Sequence, residues 1–208
     1  MEIEHIAPME IEKRSFEIIA QELPHPIDEA LAPIIKRVIH TTADFEYADT
    51  LCFSERVVEK AQAAMAQGVT IVTDTTMAQS GINKKLLAKR GGRVCCFIGD
   101  EDVAEAAKRN GTTRSTESMK KAAKLNAPLI FAIGNAPTAL IELSELIAAG
   151  ELSPALVIGV PVGFVNVVQS KELIMESGVP YIVARGRKGG SNVAAAIVNA
   201  LLYLQGRE

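Results

Sequence analysis

An α/β fold, with a mainly parallel five-stranded sheet flanked by helices and a helical N-terminal segment packed on it, is what this sequence predicts. Three observations carry that expectation. Short, nearly all-apolar runs recur from residue 69 onward, as strands covered on both faces require. The segments between them are long enough for crossover helices, which only parallel neighbours need. The first 68 residues, by contrast, carry helical patterns and no convincing strand.

Those N-terminal helices are expected at about 9–22, 27–40 and 54–67. Pro24 and Pro26 separate the first two. Pro33 either kinks the second or marks its true first turn, while Ser54 is a candidate N-cap and Gly68 a candidate stop for the third. The strands are expected at 69–73, 93–98, 129–133, 155–160 and 181–184. Helices are expected at 101–109, 114–126, 136–149, 166–177 and 191–205, where spacings such as Leu140, Leu143, Ile147 and Ile197, Leu201, Leu204 give each an apolar stripe.

No linker, repeat or low-complexity segment interrupts the 208 residues, so residues 1–208 are expected to form one domain. Hydrophobic residues make up 48%, aromatics only 4% and Trp is absent, so the core must be aliphatic. A net charge of -3 argues against a broad nucleic-acid or anionic-membrane surface. The longest uncharged stretch, Leu152 to Ser170, is broken by Pro154, Gly159, Pro161, Gly163 and Asn166 and cannot span a membrane as a helix. Cys95 and Cys96 are chain neighbours in an apolar run and poor disulfide partners. With Cys52 they make an odd count without CxxC, and the acidic N-terminus has no signal-peptide pattern, so a cytoplasmic location is expected.

In an open parallel sheet ligands sit beyond the carboxyl ends of the strands. The segments there are polar and rich in glycine: Asp74-Thr75-Thr76, Gly134-Asn135-Ala136-Pro137-Thr138, Pro161-Val162-Gly163-Phe164 and 185–192. Several lead directly into helices, whose unpaired N–H groups suit carboxylates or phosphates. Arg185, Arg187 and Lys188 strengthen that reading, although the glycines alone would also serve as tight turns and the cations as solvated surface. GxGxxG after a strand, GxxxxGK[ST], HExxH, paired CxxC and GxSxG are all missing.

Of three histidines, His5 and His25 lie in a terminal segment and a Pro-flanked turn, where surface roles are the default. His40 ends the second helical pattern, three residues after Arg37 and on the same helix face. Spacing leaves two roles open: stabilising the helix C-terminus, or handling a proton.

Long ordered segments settle the choice by resemblance. Lys13-Arg14-Ser15-Phe16, RVIHTTADF at 37–45, TDTTMAQSGINK at 73–84, TRS at 113–115, IGNAPTAL at 133–140, GVPVGFV at 159–165 and RGRKGGSNVAAAIVNALL at 185–202 make nearly the whole chain resemble the precorrin-8 methylmutases. The resemblance implies a homodimer with active sites near the subunit interface, and transfer of a methyl group from C11 to C12 of ring C on a corrin precursor. It implies His40 as the catalytic residue and Ser15 and Arg37 as substrate contacts. Arg114, Asn135, Arg187 and Lys188 are further candidates for binding the substrate's acetate and propionate groups.

The implied 1,5-shift needs position and a proton, which an imidazole with a reference pKa of about 6.5 supplies by protonating the ring C nitrogen. No cofactor or protein metal site is implied. The wording of TDTTMAQSGINK and RKGGSNVAAAIVNALLY resembles the cobalt-first enzymes, whose substrate is cobalt-precorrin-8 and whose product is cobyrinic acid; cobalt is then part of the substrate. The alternative is metal-free precorrin-8 giving hydrogenobyrinic acid. More distant alternatives are a nucleotide-dependent α/β enzyme using the 185–192 loop for phosphate, and a corrinoid carrier without catalysis.

Overall fold

The computed structural model describes residues 4–204 and places six strands in one sheet. They are β1 (Leu51–Phe53), β2 (Thr70–Thr73), β3 (Arg93–Cys95), β4 (Leu129–Ile133), β5 (Leu156–Gly159) and β6 (Tyr181–Ala184), in the order β1-β6-β5-β4-β2-β3. The last five are parallel, as the sequence predicts.

β1 corrects the count of five. It pairs antiparallel with β6 in the register Leu51↔Ala184, Cys52↔Val183 and Phe53↔Ile182. Three residues are too few to show alternation, so the strand exists through its partner and not through its own pattern. Ser54 is corrected with it. Instead of capping a helix it prolongs the pairing: its N–H donates to the Tyr181 carbonyl (3.1 Å) and its Oγ accepts from the Tyr181 N–H (2.9 Å). The next helix, α4, begins only at Val57, behind Arg56 in a left-handed conformation.

The helices are α1 (Ile11–Glu22), α2 (Ala32–Thr42), α3 (Tyr47–Thr50), α4 (Val57–Ala66), α5 (Thr76–Gly81), α6 (Lys84–Ala88), α7 (Glu101–Asn110), α8 (Arg114–Ala123), α9 (Pro137–Ala148), α10 (Val167–Glu176) and α11 (Ser191–Tyr203). Pro33 lies in the first turn of α2, where its missing N–H costs nothing. Position 205, the expected end of the last helix, falls outside the described residues. The short α3, α5 and α6 have no periodic signature; Thr75 and Asn83 start two of them by accepting the N–H groups of Ala78 and Leu86. β3 ends three residues early because the chain turns at Phe97, whose carbonyl takes the Asp100 N–H.

Alternation along the parallel strands divides the core in two. Ile130 and Ala132 of β4 join Ile71, Ile158 and Ile182 beneath α2, α4 and α11, while Leu129, Phe131 and Ile133 face α8, α9 and α10. Helix α11 is the centre of the first face. Ten of its thirteen residues are buried, and the small side chains of Ala194, Ala195 and Ala196 let neighbouring elements approach closely. The N-terminal helices reach the sheet through it, since α2 presses Ile34, Ile35, Val38 and Ile39 into the same cluster.

Candidate active site at the carboxyl edge of the sheet

Four segments that follow parallel strands converge on one edge, and hydrogen bonds fix them to each other. Asp74, buried immediately after β2, spends its carboxylate on the next loop: Oδ1 accepts from the Gly134 N–H (3.0 Å) and Oδ2 from Asn135 and Ala136 (both 2.7 Å). Burial pushes the Asp74 carboxyl up, and the three N–H donors pull against that shift. Thr75 Oγ1 meets Ser191 Oγ at 2.8 Å, which ties the start of α5 to the start of α11.

Glycine is required where two of these loops cross. A Cβ on Gly189 would lie 2.1 Å from the Val160 carbonyl oxygen, and one on Gly134 would lie 2.6 Å from the Ser191 Cα. Their close approach leaves a cleft of about 460 Å³, lined by Thr75, Thr76, Asn135, Gly189, Gly190 and Asn192 among others, with Met77 and Val162 as its apolar side. Helix α11 starts at it and its first-turn N–H groups offer donors to anions, whereas the N–H groups ahead of α9 are taken by Asp74 and Pro137 has none. Phe164 and Val165, 80% and 78% exposed, stand beside it on the loop after β5.

The 185–190 loop is held from below and from the side. Lys171 of α10 is fully buried, and its ammonium donates to the carbonyls of Gly186 and Lys188, both at 2.8 Å. Lys188 reaches the other way to Asp44 (2.6 Å) and Glu46 (2.8 Å), just beyond the end of α2. That contact joins the N-terminal helices to the cleft. Hydrogen bonding to Lys188 holds the Asp44 carboxyl below the usual carboxylate range. Arg187 is exposed, its guanidinium 5.4 Å from the centroid of the Phe164 ring.

His40, in the last turn of α2, stacks on Phe16 of α1 with ring centroids 5.4 Å apart and planes 29° from parallel. The imidazole is exposed, and its nitrogens make no hydrogen bond with the protein among the described residues. Arg37 pairs with Glu12 and lies over the rings of Phe16 (4.8 Å) and Tyr203 (5.0 Å). Glu12 therefore offsets the positive charge next to His40. Ser15, partly exposed on α1, donates to the Ile11 carbonyl at 2.9 Å.

Ser15, Arg37 and His40 thus lie on one pair of helices, Asn135, Arg187 and Lys188 lie on the strand-end loops, and Lys188 links the two sets. Arg114 stands apart. It is exposed at the start of α8, whose N-cap Thr113 contacts Thr138 of α9 at 3.0 Å. His25 is occupied elsewhere, bonded to Asp49 and the Pro26 carbonyl.

The chain and its fold are similar to known proteins. Residues 10–204 match the precorrin-8X methylmutase family. The chain belongs to that family. It is 48% identical over 200 residues to the cobalt-precorrin-8 methylmutase of Priestia megaterium, covering 96% of this chain and 89% of the relative. It is also 48% identical to the cobalt-precorrin-8 methylmutase of Salmonella typhimurium, covering 94% and 95%. The crystal structure of the precorrin-8X methylmutase of Thermus thermophilus superposes with a TM-score of 0.85 at 39% identity, covering 94% of this chain and 96% of that one.

As a family member the chain is a methylmutase, and the match extends through the helices that carry His40 and the loops that frame the cleft. Two structurally important residues, Asp74 and Lys171, escaped assignment from sequence. A signal for each existed. Asp74 is the first polar side chain after an apolar strand, and Lys171 sits on the same stripe as Val167, Ser170 and Ile174, a position where an unpaired cation would be expelled to solvent.

Proposed function

We propose that this methylmutase moves one methyl group from C11 to C12 of ring C of cobalt-precorrin-8, giving cobyrinic acid in cobalamin biosynthesis. The observation that carries the reading is an accessible His40 imidazole with no hydrogen-bond partner among the described residues, within a family match spanning residues 10–204. His40 delivers a proton to the ring C nitrogen as that nitrogen's bond to the substrate cobalt opens, which draws electron density from the macrocycle; the C11–methyl bond breaks as the C12–methyl bond forms, and the Co–N bond re-forms as the proton returns to the imidazole. Reactant and product are isomers, so the step needs no redox carrier, methyl donor or resident metal, and the cobalt travels as part of the substrate.

The strand-end loops bind the substrate's carboxylates through the N-terminus of α11, Asn135, Arg187 and Lys188, with Arg114 at the far end of the same edge. Ser15 hydrogen-bonds the periphery of the macrocycle, and Arg37 exchanges Glu12 for a substrate carboxylate. Cobalt-precorrin-8 is favoured over the metal-free substrate by the names of the relatives from Priestia megaterium and Salmonella typhimurium. A cleft of about 460 Å³ accepts the edge of a tetrapyrrole and not the whole. We therefore assign the remaining enclosure to a second copy of this single-domain chain, in a cytoplasmic homodimer.

The test is incubation of the purified protein with cobalt-precorrin-8, followed by absorbance and mass spectrometry. An isobaric product with the spectrum of cobyrinic acid is expected. Unchanged substrate would overturn the reading, in favour of a carrier if corrinoid co-purifies or of a nucleotide enzyme if ATP or NAD binds tightly.

A further inference from the structure

We propose that Lys171 is a positioning residue for substrate binding: by holding the Gly186 and Lys188 carbonyls inward, it turns the N–H groups of Arg187 and Gly189 outward as a seat for one substrate carboxylate. The inference rests on the proposed corrinoid substrate.

The geometry follows from the peptide bond. In a trans peptide the C=O and the following N–H point in opposite directions, and no cis bond occurs among the described residues. Both carbonyls point at the Lys171 ammonium at 2.8 Å. The N–H groups of Arg187 and Gly189 must therefore point away from it, and neither donates to a protein acceptor among the described residues. Gly189 lines the cleft. Outward backbone N–H groups gathered in one loop make a concavity of the kind that binds anions.

The cost of burial argues that Lys171 has a purpose. Taking an ammonium out of water is strongly unfavourable, and it is tolerated on α10 because the Gly186 and Lys188 carbonyls satisfy it. Burial lowers the Lys171 pKa to about 8, so the amine still carries its proton at neutral pH and adds positive charge beneath the loop. The two carbonyls turned toward the ammonium cannot repel a carboxylate on the other side of the loop, and the Arg187 carbonyl is taken by the Gly163 N–H (3.2 Å). Arg187 and Lys188 are long and exposed, whereas the backbone seat is fixed before the ligand arrives.

Lys171→Met removes the donor while keeping most of the volume. The expected result is a KM for cobalt-precorrin-8 and a Kd for cobyrinic acid raised about tenfold, with kcat within about threefold of the wild type. Against cobyrinic acid methylated at its carboxylates, variant and wild type should bind equally. A fall in kcat with KM unchanged, or equal loss of both ligands, overturns the assignment. Should the variant fail to fold, wild-type protein labelled with ¹⁵N-glycine and ¹⁵N-arginine serves instead: saturating cobyrinic acid should shift the Gly189 and Arg187 amides, and unmoved amides overturn the proposal. If the wild type neither turns over nor binds corrinoid, the functional reading itself has failed; wild-type turnover with an indifferent variant sinks only the role of Lys171.

Discussion

The imidazole of His40 rests against the ring of Phe16, their centroids 5.4 Å apart, so the end of α2 is held by a side chain of α1. His40 is exposed, which separates its chemistry from the stability of the fold. His40→Ala should abolish methyl migration, lower the unfolding free energy by no more than about 1 kcal/mol through the lost stacking on Phe16, and change the Kd for cobyrinic acid by less than about tenfold. Turnover by this variant at the wild-type rate would remove the imidazole from the mechanism.

Phe16 supports both that imidazole and the Arg37 guanidinium. Phe16→Leu keeps an apolar side chain but loses the stacking and the cation–π contact, each worth about 1 kcal/mol. The His40 ring then samples more orientations, so kcat should fall by about three- to tenfold while product affinity changes little. Steady-state kinetics and equilibrium dialysis distinguish this from a general loss of binding.

Asp74 fastens the first strand-end loop to the second with three hydrogen bonds. In Asp74→Asn one oxygen becomes an NH₂ that faces N–H donors, and the loss should be on the order of 3 kcal/mol in urea denaturation. Product affinity should fall as well, because Asn135 moves with its backbone. A variant as stable as the parent would show that the loop keeps its shape without the carboxylate.

Lys171 gives a pH dependence of stability. Its folded pKa, about 8, lies below the unfolded value of 10.5, so between those limits the unfolded chain binds more protons than the folded one. Stability should therefore rise with pH across that window, by at most about 3 kcal/mol from this residue, as the penalty for a buried charge disappears. Lys171→Met should remove the rise. Urea titrations of both proteins at pH 7.5 and 10 measure it, and identical pH slopes would contradict it.

The parallel core was legible in the sequence because each parallel strand is a nearly all-apolar run; β4, Leu-Ile-Phe-Ala-Ile, is buried from end to end. β1 was not, because its stability comes from Ala184, Val183 and Ile182 across the sheet and not from its own three residues. Pro33 was ambiguous between kink and first turn until Leu31 and Ala32 were seen to start the helix ahead of it. His40 stood out by its segment, whereas its stacking on Phe16, 24 positions away, depends on how two helices cross. The pairing of Arg37 with Glu12 was equally hidden, since helix periodicity describes neighbours within one helix and not across two.

The antiparallel pairing of Leu51 with Ala184 also sets an order in time. On the ribosome the N-terminal helices emerge first, but the strand that positions their exit, and the Lys188 that binds Asp44, arrive only after most of the chain has been made. A polypeptide interrupted before Ala184 would carry His40 with nothing to aim it at, so incomplete translation should release no partially active enzyme.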